Sequence, residues 1–240
     1  MRLQVRFSAP LLALTALALC AGTSAQAQST ASPTAGNGTY IASDPLANVR
    51  YDNRFDVSLG MAYDHMKAGP TLLEGSNLGG LDLSASYWLS KHWAVEGSGR
   101  GYLGTSGAAP NTFLINGQPF SIKGPFVAQY LFVAGPEWLG PHNKHGALIA
   151  HAMVGGAYGE FQKDLLGQPT SLVGFYNDQI ALAAIVGGHI DLNRSAHWVF
   201  RITPDAILTR YSINYGPKTT SNDVNFALSV GVEYKFKKKR

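Results

Sequence analysis

Apolar and polar residues alternate one by one along much of this chain. The alternation is clearest near its end, where Val224, Phe226 and Leu228 take turns with Asn225 and Ala227. Successive side chains of a β-strand point to opposite faces of the sheet, so this pattern predicts strands that have one apolar and one polar face. The chain is therefore predicted to be all-β.

The same alternation, clear or weak, predicts eight strands. It is weakest in Ile180–Ile190, which is nearly continuous apolar sequence; a buried helix shares that pattern, and Gly187 and Gly188 favour a strand instead. The predicted strands are 55–64, 81–87, 93–100, 123–139, 147–158, 179–192, 198–211 and 224–236.

The connections between these strands alternate in length. Those around 90–92, 140–146 and 193–197 are short, whereas the others are long and polar or rich in Gly and Pro, at 67–79, 104–121, 160–178 and 212–222. Short turns at one end and long loops at the other are typical of bacterial outer-membrane barrels. The fold class predicted is thus an all-β, eight-stranded antiparallel up-and-down transmembrane β-barrel, with periplasmic turns and extracellular loops.

Charge separates the two faces of the strands. The apolar face is almost uncharged, whereas the polar face carries residues of opposite sign, and eight strands enclose a space only wide enough for side chains. We expect a structural network in the lumen, in which Glu96 pairs with Arg100 and Arg201 with Asp205; a gate or narrow conductance path is the alternative. The residues predicted to form the network are Glu96, Arg100, Arg201, Asp205, Glu233 and Lys235.

Aromatic residues collect near the predicted strand ends, as expected where amphipathic rings meet lipid headgroups. One predicted girdle lies beside the short turns and the other beside the long loops. Because lipid leaves no backbone group unpaired, the first strand is expected to pair with the last and close the ring. The predicted girdle residues are Trp88, Trp93, Trp138 and Trp198 at the turns, and Tyr63, Tyr102, Tyr158 and Tyr211 at the loops.

Over residues 50–236 the chain resembles the small outer-membrane β-barrel proteins typified by the transmembrane domain of outer membrane protein A. The resemblance lies in strand count, loop alternation, girdles and the last strand, which ends in the aromatic residue Phe236. It implies a monomer surrounded by outer-membrane lipids and inserted by the barrel-assembly machinery. The family usually ends at that terminal aromatic residue, whereas here the basic tail 237–240 follows it.

Residues 1–27 have the three parts of a secretory signal peptide: a basic start, an apolar run and the small-residue end Ala25-Gln26-Ala27. Cys20, the one cysteine, offers a lipoprotein signal as the rival interpretation, but Leu19 before it is not small. If cleavage follows Ala27, no cysteine remains for disulfides or metal binding. Residues 28–50, rich in small and turn-forming types, are predicted to be a flexible periplasmic lead-in before the barrel at 51–236.

Composition and charge argue against two classes of protein, those with a transmembrane helix and those that bind nucleic acid. Past residue 30 there is no run of about eighteen apolar residues, so a transmembrane helix is not predicted. Of the formal net charge of +4, two positive charges lie in the signal and four in the tail, which leaves −2 for the body. A nucleic-acid-binding face is therefore not indicated.

No motif predicts catalysis, a cofactor or a metal. His142 and His145 lie in a short turn without accompanying acidic or cysteine ligands, so we interpret them as solvated. A lipid-modifying enzyme would need a serine or aspartate with a histidine at one rim. His65, His151 and His189 are available, the first of them beside Asp64, but no nucleophile motif accompanies them.

The second long loop holds Asn116-Gly117, a hairpin signal that predicts an extension of the third and fourth strands. Phe113, Ile115 and Phe120 beside it form either a contact patch for another molecule or packing between loops. The predicted role is structural or in surface interaction. The alternatives are a lipid-modifying enzyme on the same scaffold and a soluble periplasmic lipocalin-like binder whose apolar residues line an inner cavity.

Overall fold

The computed structural model describes residues 44–70, 72, 75–107, 111–115, 118–165, 167–170, 174–213 and 219–236. The predicted signal peptide, most of the predicted lead-in and the basic tail lie outside the described residues. Within these ranges no helix is long and apolar enough to span a membrane.

The described residues contain ten strands, and alternation of the sequence together with outward β-branched and aromatic residues favours most of those that form the barrel. Their bounds are β1 Phe55–Met66, β2 Ser76–Trp88, β3 Trp93–Thr105, β4 Asn111–Ile115, β5 Gln118–Ile122, β6 Phe126–His142, β7 Gly146–Glu160, β8 Gln179–Asn193, β9 Trp198–Ile213 and β10 Thr219–Phe236.

Eight of these strands form a closed barrel in the order β1-β10-β9-β8-β7-β6-β3-β2. All neighbours are antiparallel, and β1 pairs with β10 from Phe55 opposite Phe236 to His65 opposite Phe226. The ring therefore has no free edge, and the prediction of an eight-stranded antiparallel up-and-down barrel is confirmed. Six of the eight barrel strands reach further than predicted at the ends that carry the long loops; β2, for example, begins at Ser76, whereas β6 begins only at Phe126.

The two remaining strands, β4 and β5, form a separate two-stranded sheet in the connection between β3 and β6. The expected hairpin is thus present, but it pairs with itself instead of lengthening the barrel strands. Residues 116–117 at its turn lie outside the described residues, as do the side chains of Phe113, Ile115 and Phe120, so the predicted contact patch stays a prediction.

The connections define two ends of the barrel. At the turn end lie the connections 89–92, 143–145 and 194–197, closed by short backbone hydrogen bonds such as Asn143 N to Gly146 O, 2.8 Å. At the loop end, successive strands of the barrel end and begin at Met66 and Ser76, Thr105 and Phe126, Glu160 and Gln179, and Ile213 and Thr219. Alternating short and long connections give an up-and-down barrel its two dissimilar ends.

The barrel is apolar outside, and its interior holds both the buried charged groups and a cluster of buried apolar side chains. On β1, Leu59 and Met61 face outward and are 53% and 58% exposed, whereas Asp56 and Asp64 face the lumen and are 1% and 0% exposed. A soluble lipocalin-like barrel would show the reverse arrangement on its outer face, with polar and charged residues turned to water. Burial here follows strand parity, since alternate residues of each strand face the lumen.

Aromatic side chains on the outer face form two belts. In the turn-end belt, Trp93 pairs in register with Trp138, and Trp198 with Tyr234. In the loop-end belt, Tyr130 pairs with Tyr158. Between these belts no Asp, Glu, Lys or Arg faces outward among the described strand residues. The turn-end belt comprises Phe55, Tyr87, Trp93, Trp138, Trp198, Tyr234 and Phe236, and the loop-end belt Tyr63, Tyr130, Tyr158 and Phe226.

Three predicted girdle residues are not on the outer face, and their assignment to the girdles is wrong. Tyr102 and Tyr211 are fully buried inside the barrel, because they share the lumen-facing parity of Arg100 in β3 and Arg201 in β9. Trp88 also has lumen parity, and its Nε1 donates a hydrogen bond to Asp56 Oδ2, 2.6 Å away. The loop-end belt also contains Tyr130 and Phe226, which were not among the predicted girdle residues.

Candidate functional site

The candidate functional site is the lumen, where acidic groups outnumber basic ones. The permanent cations buried there are Arg100, Arg201 and Lys235, joined by the ring nitrogens of His151 and His189. The buried carboxylates that face them belong to Asp56, Asp64, Asp82, Glu96, Glu137, Asp191, Asp205 and Glu233. Buried charges are costly unless they are paired, so the contacts of each group decide what the lumen can do.

Arg201 binds two carboxylates from neighbouring strands. Its Nε and Nη2 lie 2.8 and 3.0 Å from the two oxygens of Asp191, which stands opposite Arg201 in the β8–β9 register. Its Nη2 also lies 2.9 Å from Glu233 Oε2 on β10. Bidentate contacts of this kind fix the orientation of the guanidinium group.

Arg100 makes the second cationic cluster. Its Nη1 lies 2.5 Å from Asp205 Oδ2, and its Nε lies 3.4 Å from Asp82 Oδ1 and 3.1 Å from Ser98 Oγ. The Ser98 hydroxyl donates to Asp82, 3.1 Å away. These contacts bring together residues of β2, β3 and β9.

The predicted network residues all lie in the lumen, but the predicted pairs are wrong. Glu96 does not pair with Arg100, nor Arg201 with Asp205. Residues four apart on a strand project from the same face at a separation of about 13 Å, so their short polar ends do not meet. Pairs form across the lumen or between adjacent strands instead.

A third cluster contains Glu96 on β3, His151 on β7 and His189 on β8, all buried. His151 Nδ1 lies 2.8 Å from Glu96 Oε2, and His189 Nε2 lies 3.3 Å from the same oxygen and 3.1 Å from His151 Nδ1. The outer ring nitrogens bind Asp205 and Thr203, each at 2.8 Å. No sequence motif predicted this cluster, although strand parity places all three side chains on the polar face.

The turn end of the lumen is covered by the residues that precede β1. The Tyr51 hydroxyl donates to the carbonyl of Asn143 and accepts a hydrogen bond from Asn193 Nδ2, 2.7 Å away. Lys235 Nζ lies 4.4 Å from the centre of the Tyr51 ring. Desolvation raises the pKa of the Tyr51 hydroxyl, and the nearby carboxylates of Asp191 and Glu233 add to that rise. Tyr51 therefore closes this mouth as a neutral phenol.

The loop end is filled by apolar side chains from the connection between β7 and β8. Phe161, Phe175 and Tyr176 are fully buried, and the rings of Phe161 and Tyr176 lie 5.2 and 5.3 Å from that of Tyr211. Asp178 Oδ1 accepts hydrogen bonds from the backbone N–H groups of residues 161 and 162. With Tyr51 at the opposite end, both mouths of the barrel are covered.

The other histidines that the sequence offered are dispersed. His142 and His145 lie in or beside the turn 143–145 and are exposed. His65 and Asp64, adjacent in sequence, face opposite sides of β1: His65 faces outward and its Nδ1 lies 2.9 Å from Asn77 Oδ1, whereas Asp64 is buried in the lumen. These two groups therefore do not form a pair at the rim.

The sequence matches no protein-family model and no curated protein. Among solved structures, the chain is similar to the attachment invasion locus protein Ail of Yersinia pestis, at 16% identity over 77% of this chain and 99% of that one, with a TM-score of 0.44. It is also similar to Neisserial surface protein A, at 16% identity over 76% of this chain and 97% of that one, with a TM-score of 0.45. It is similar as well to the outer membrane protein OprG of Pseudomonas aeruginosa, at 15% identity over 80% of this chain and 99% of that one, with a TM-score of 0.48. At these identities the similarity concerns the fold alone.

Proposed function

We propose that this protein is an integral outer-membrane β-barrel with a structural or surface-interaction role. The observation that carries the proposal is the outer face of the closed barrel: between its two aromatic belts this face is apolar, and no charged side chain of the described strand residues faces outward there. A charged side chain at mid-depth on a lipid-facing surface costs about 2–4 kcal/mol for Arg or Lys. The proposed partners are outer-membrane lipids, with the barrel-assembly machinery during insertion.

The proposed lumen network is structural. Arg100 and Arg201 each contact two buried carboxylates, Tyr51 covers one mouth, and Phe161 and its neighbours fill the other. This arrangement supports a sealed barrel in place of a pore. His65 and Asp64 face opposite sides of their strand, so this pair does not supply the aspartate with a histidine at one rim that a lipid-modifying enzyme would need.

Heat-modifiable migration on a detergent gel tests the membrane barrel. A membrane barrel resists the detergent until it is boiled, so the unheated protein is expected to migrate differently from the boiled one. Membrane fragments washed with alkaline carbonate are expected to retain the protein. Equal mobility before and after boiling, together with release by carbonate alone, would contradict the proposal.

Two assays on the folded protein separate the finer roles. In a planar bilayer, the sealed lumen predicts no steady conductance above that of protein-free lipid. A lipid-hydrolysis assay is expected to show no turnover. Stable channels would show that the network acts as a gate, and hydrolysis would identify the scaffold as a lipid-modifying enzyme.

A further inference from the structure

Three metal-ligating atoms converge within the lumen. Glu96 Oε2, His151 Nδ1 and His189 Nε2 are separated by 2.8, 3.1 and 3.3 Å. Three donors of a tetrahedral zinc site with bonds near 2.0 Å are about 3.3 Å from one another. The observed triangle has nearly that size, so outward shifts of a few tenths of an ångström would convert it into one face of a tetrahedron.

Hydrogen bonding assigns the proton positions on His151. Its Nε2 lies 2.8 Å from Asp205 Oδ1, and an ionised carboxylate only accepts, so Nε2 carries the hydrogen. In the neutral ring, Nδ1 then presents a lone pair to Glu96 Oε2, which is also an acceptor. Two acceptors 2.8 Å apart require a cation between them, which is either an added proton or a metal ion.

The third donor favours the metal over the proton. A shared proton would join Glu96 and His151 only, whereas His189 Nε2 points at the same space. The other nitrogen of that ring, Nδ1, lies 2.8 Å from Thr203 Oγ1, which is able to accept its hydrogen and so leave Nε2 free to bind a metal. The second oxygen of Glu96, Oε1, is buried and has no hydrogen-bond partner among the described residues.

The surroundings match those of known metal sites. Metal-binding histidines usually donate their second N–H to a carboxylate or another oxygen, which fixes the ring orientation. Here Asp205 and Thr203 occupy those positions. The excess of buried carboxylates over buried permanent cations further favours a divalent cation in the lumen.

We propose that Glu96, His151 and His189 bind one divalent transition-metal ion inside the barrel. Two imidazoles and a carboxylate suit zinc and its first-row neighbours, whereas magnesium and calcium prefer all-oxygen sites. Three protein ligands leave a fourth position for water. The bound ion would join β3, β7 and β8 across the lumen and raise the resistance of the barrel to unfolding.

Zinc binding to the refolded full chain tests the proposal. Because the donors are buried, the protein is refolded from urea into detergent with and without Zn²⁺, passed over a desalting column and assayed for metal content. One Zn²⁺ per chain and a higher urea midpoint are expected for the wild type. Refolding with Co²⁺ is expected to give the intense visible absorption of a tetrahedral site, which the hexaaqua ion lacks.

Paired variants locate the site. His189→Gln and Glu96→Gln are expected to lose the bound metal, whereas His142→Gln combined with His145→Gln, which removes exposed histidines, is expected to keep it. Heat-modifiable migration checks that each variant is folded. A folded wild type that retains no zinc, or that gives only the spectrum of hexaaqua cobalt, would overturn the proposal. Metal that stays bound in the His189→Gln and Glu96→Gln variants but is lost from the variant of His142 and His145 would also overturn it. The measurement of zinc in the folded wild type tests the proposal without any variant.

Discussion

Arg100 and Asp205 form an ion pair that spans the lumen. Arg100 lies on β3 and Asp205 on β9, strands that stand four places apart in either direction around the eight-stranded ring. Their closest atoms, Nη1 and Oδ2, are 2.5 Å apart, and both side chains are fully buried. The pair therefore ties opposite walls of the barrel together through groups that have no access to solvent.

Removal of one partner is expected to destabilise the barrel strongly. Asp205→Asn leaves Arg100 buried with only Asp82 as a charged partner, and such losses cost about 3–5 kcal/mol. The measurement is the free energy of unfolding in urea, followed by tryptophan fluorescence in lipid vesicles. Arg100→Met combined with Asp205→Leu is expected to cost less than the sum of the single changes.

The exposed pair of Asp44 and Lys144 provides the matched control. Its atoms lie 3.2 Å apart, with side chains about half exposed, so Lys144→Met is expected to cost less than about 1 kcal/mol. An effect of equal size at the two sites would contradict the importance of the buried pair.

The sequence was sufficient to predict the barrel and to place the six residues of the predicted network in its lumen, because both predictions depend on the two-residue period. Most strands of the barrel were found from clear or weak alternation, whereas in the nearly continuous apolar run of β8 the two glycines Gly187 and Gly188 favoured a strand. Glu96, Arg100 and Arg201 were assigned to the inner face by parity. Parity also predicts that Tyr102 and Tyr211 face the lumen, because they lie on the same faces of their strands as Arg100 and Arg201. Their assignment to the girdle failed because it considered depth along the strand alone.

The partners of the lumen residues could not be predicted, since contacts across a barrel depend on its stagger and on which strands stand opposite each other. Glu96, His151 and His189 are 55 and 38 residues apart in sequence and come from three different strands. No local spacing marks such a cluster. The position of Tyr51 over the turn end could not be predicted either, because residues 28–50 and those beside them have the composition of a flexible linker.

A charge placed on the outer face tests its contact with lipid. Leu83 is 54% exposed in the middle of β2, and Leu83→Arg is expected to cost about 2–4 kcal/mol of unfolding free energy in vesicles. Leu89→Arg, in a turn just past the turn-end belt, is expected to cost no more than about 1 kcal/mol, since interfacial depth is tolerant. Equal costs at the two depths would show that this face does not contact hydrocarbon.

A side chain at Gly187 would disturb the centre of the lumen. Gly187 stands opposite both His151 and Asp205 in the strand register, and a Cβ built there overlaps Asp205 Oδ1. Gly187→Ala is therefore expected to displace Asp205 from Arg100 and to cost about 1–3 kcal/mol. Gly97→Ala is the control, since a Cβ there meets nothing within 4 Å. The comparison is made by urea unfolding, and equal stability of the two variants would contradict the prediction.

The raised pKa of the Tyr51 hydroxyl predicts how the free energy of unfolding changes at alkaline pH. Burial raises the pKa of its hydroxyl in the folded protein, so the folded state holds this proton more tightly than the unfolded state, whose tyrosines titrate near pH 10. Stability from the buried phenol is thus fully present below about pH 10 and is lost as the pH rises through the raised pKa.

The test compares the wild type with Tyr51→Phe, which cannot ionise and loses the hydrogen bonds to Asn143 and Asn193. At about pH 8 the variant is expected to be less stable by about 1 kcal/mol, since it leaves polar groups of the lumen mouth without their partner. At about pH 11 the difference is expected to shrink, because only the wild type must keep a phenol protonated there. All other titrating groups are shared, so they cancel in the difference between the two proteins. A difference that is constant or grows with pH would show that Tyr51 is not held as a neutral cap over the turn end.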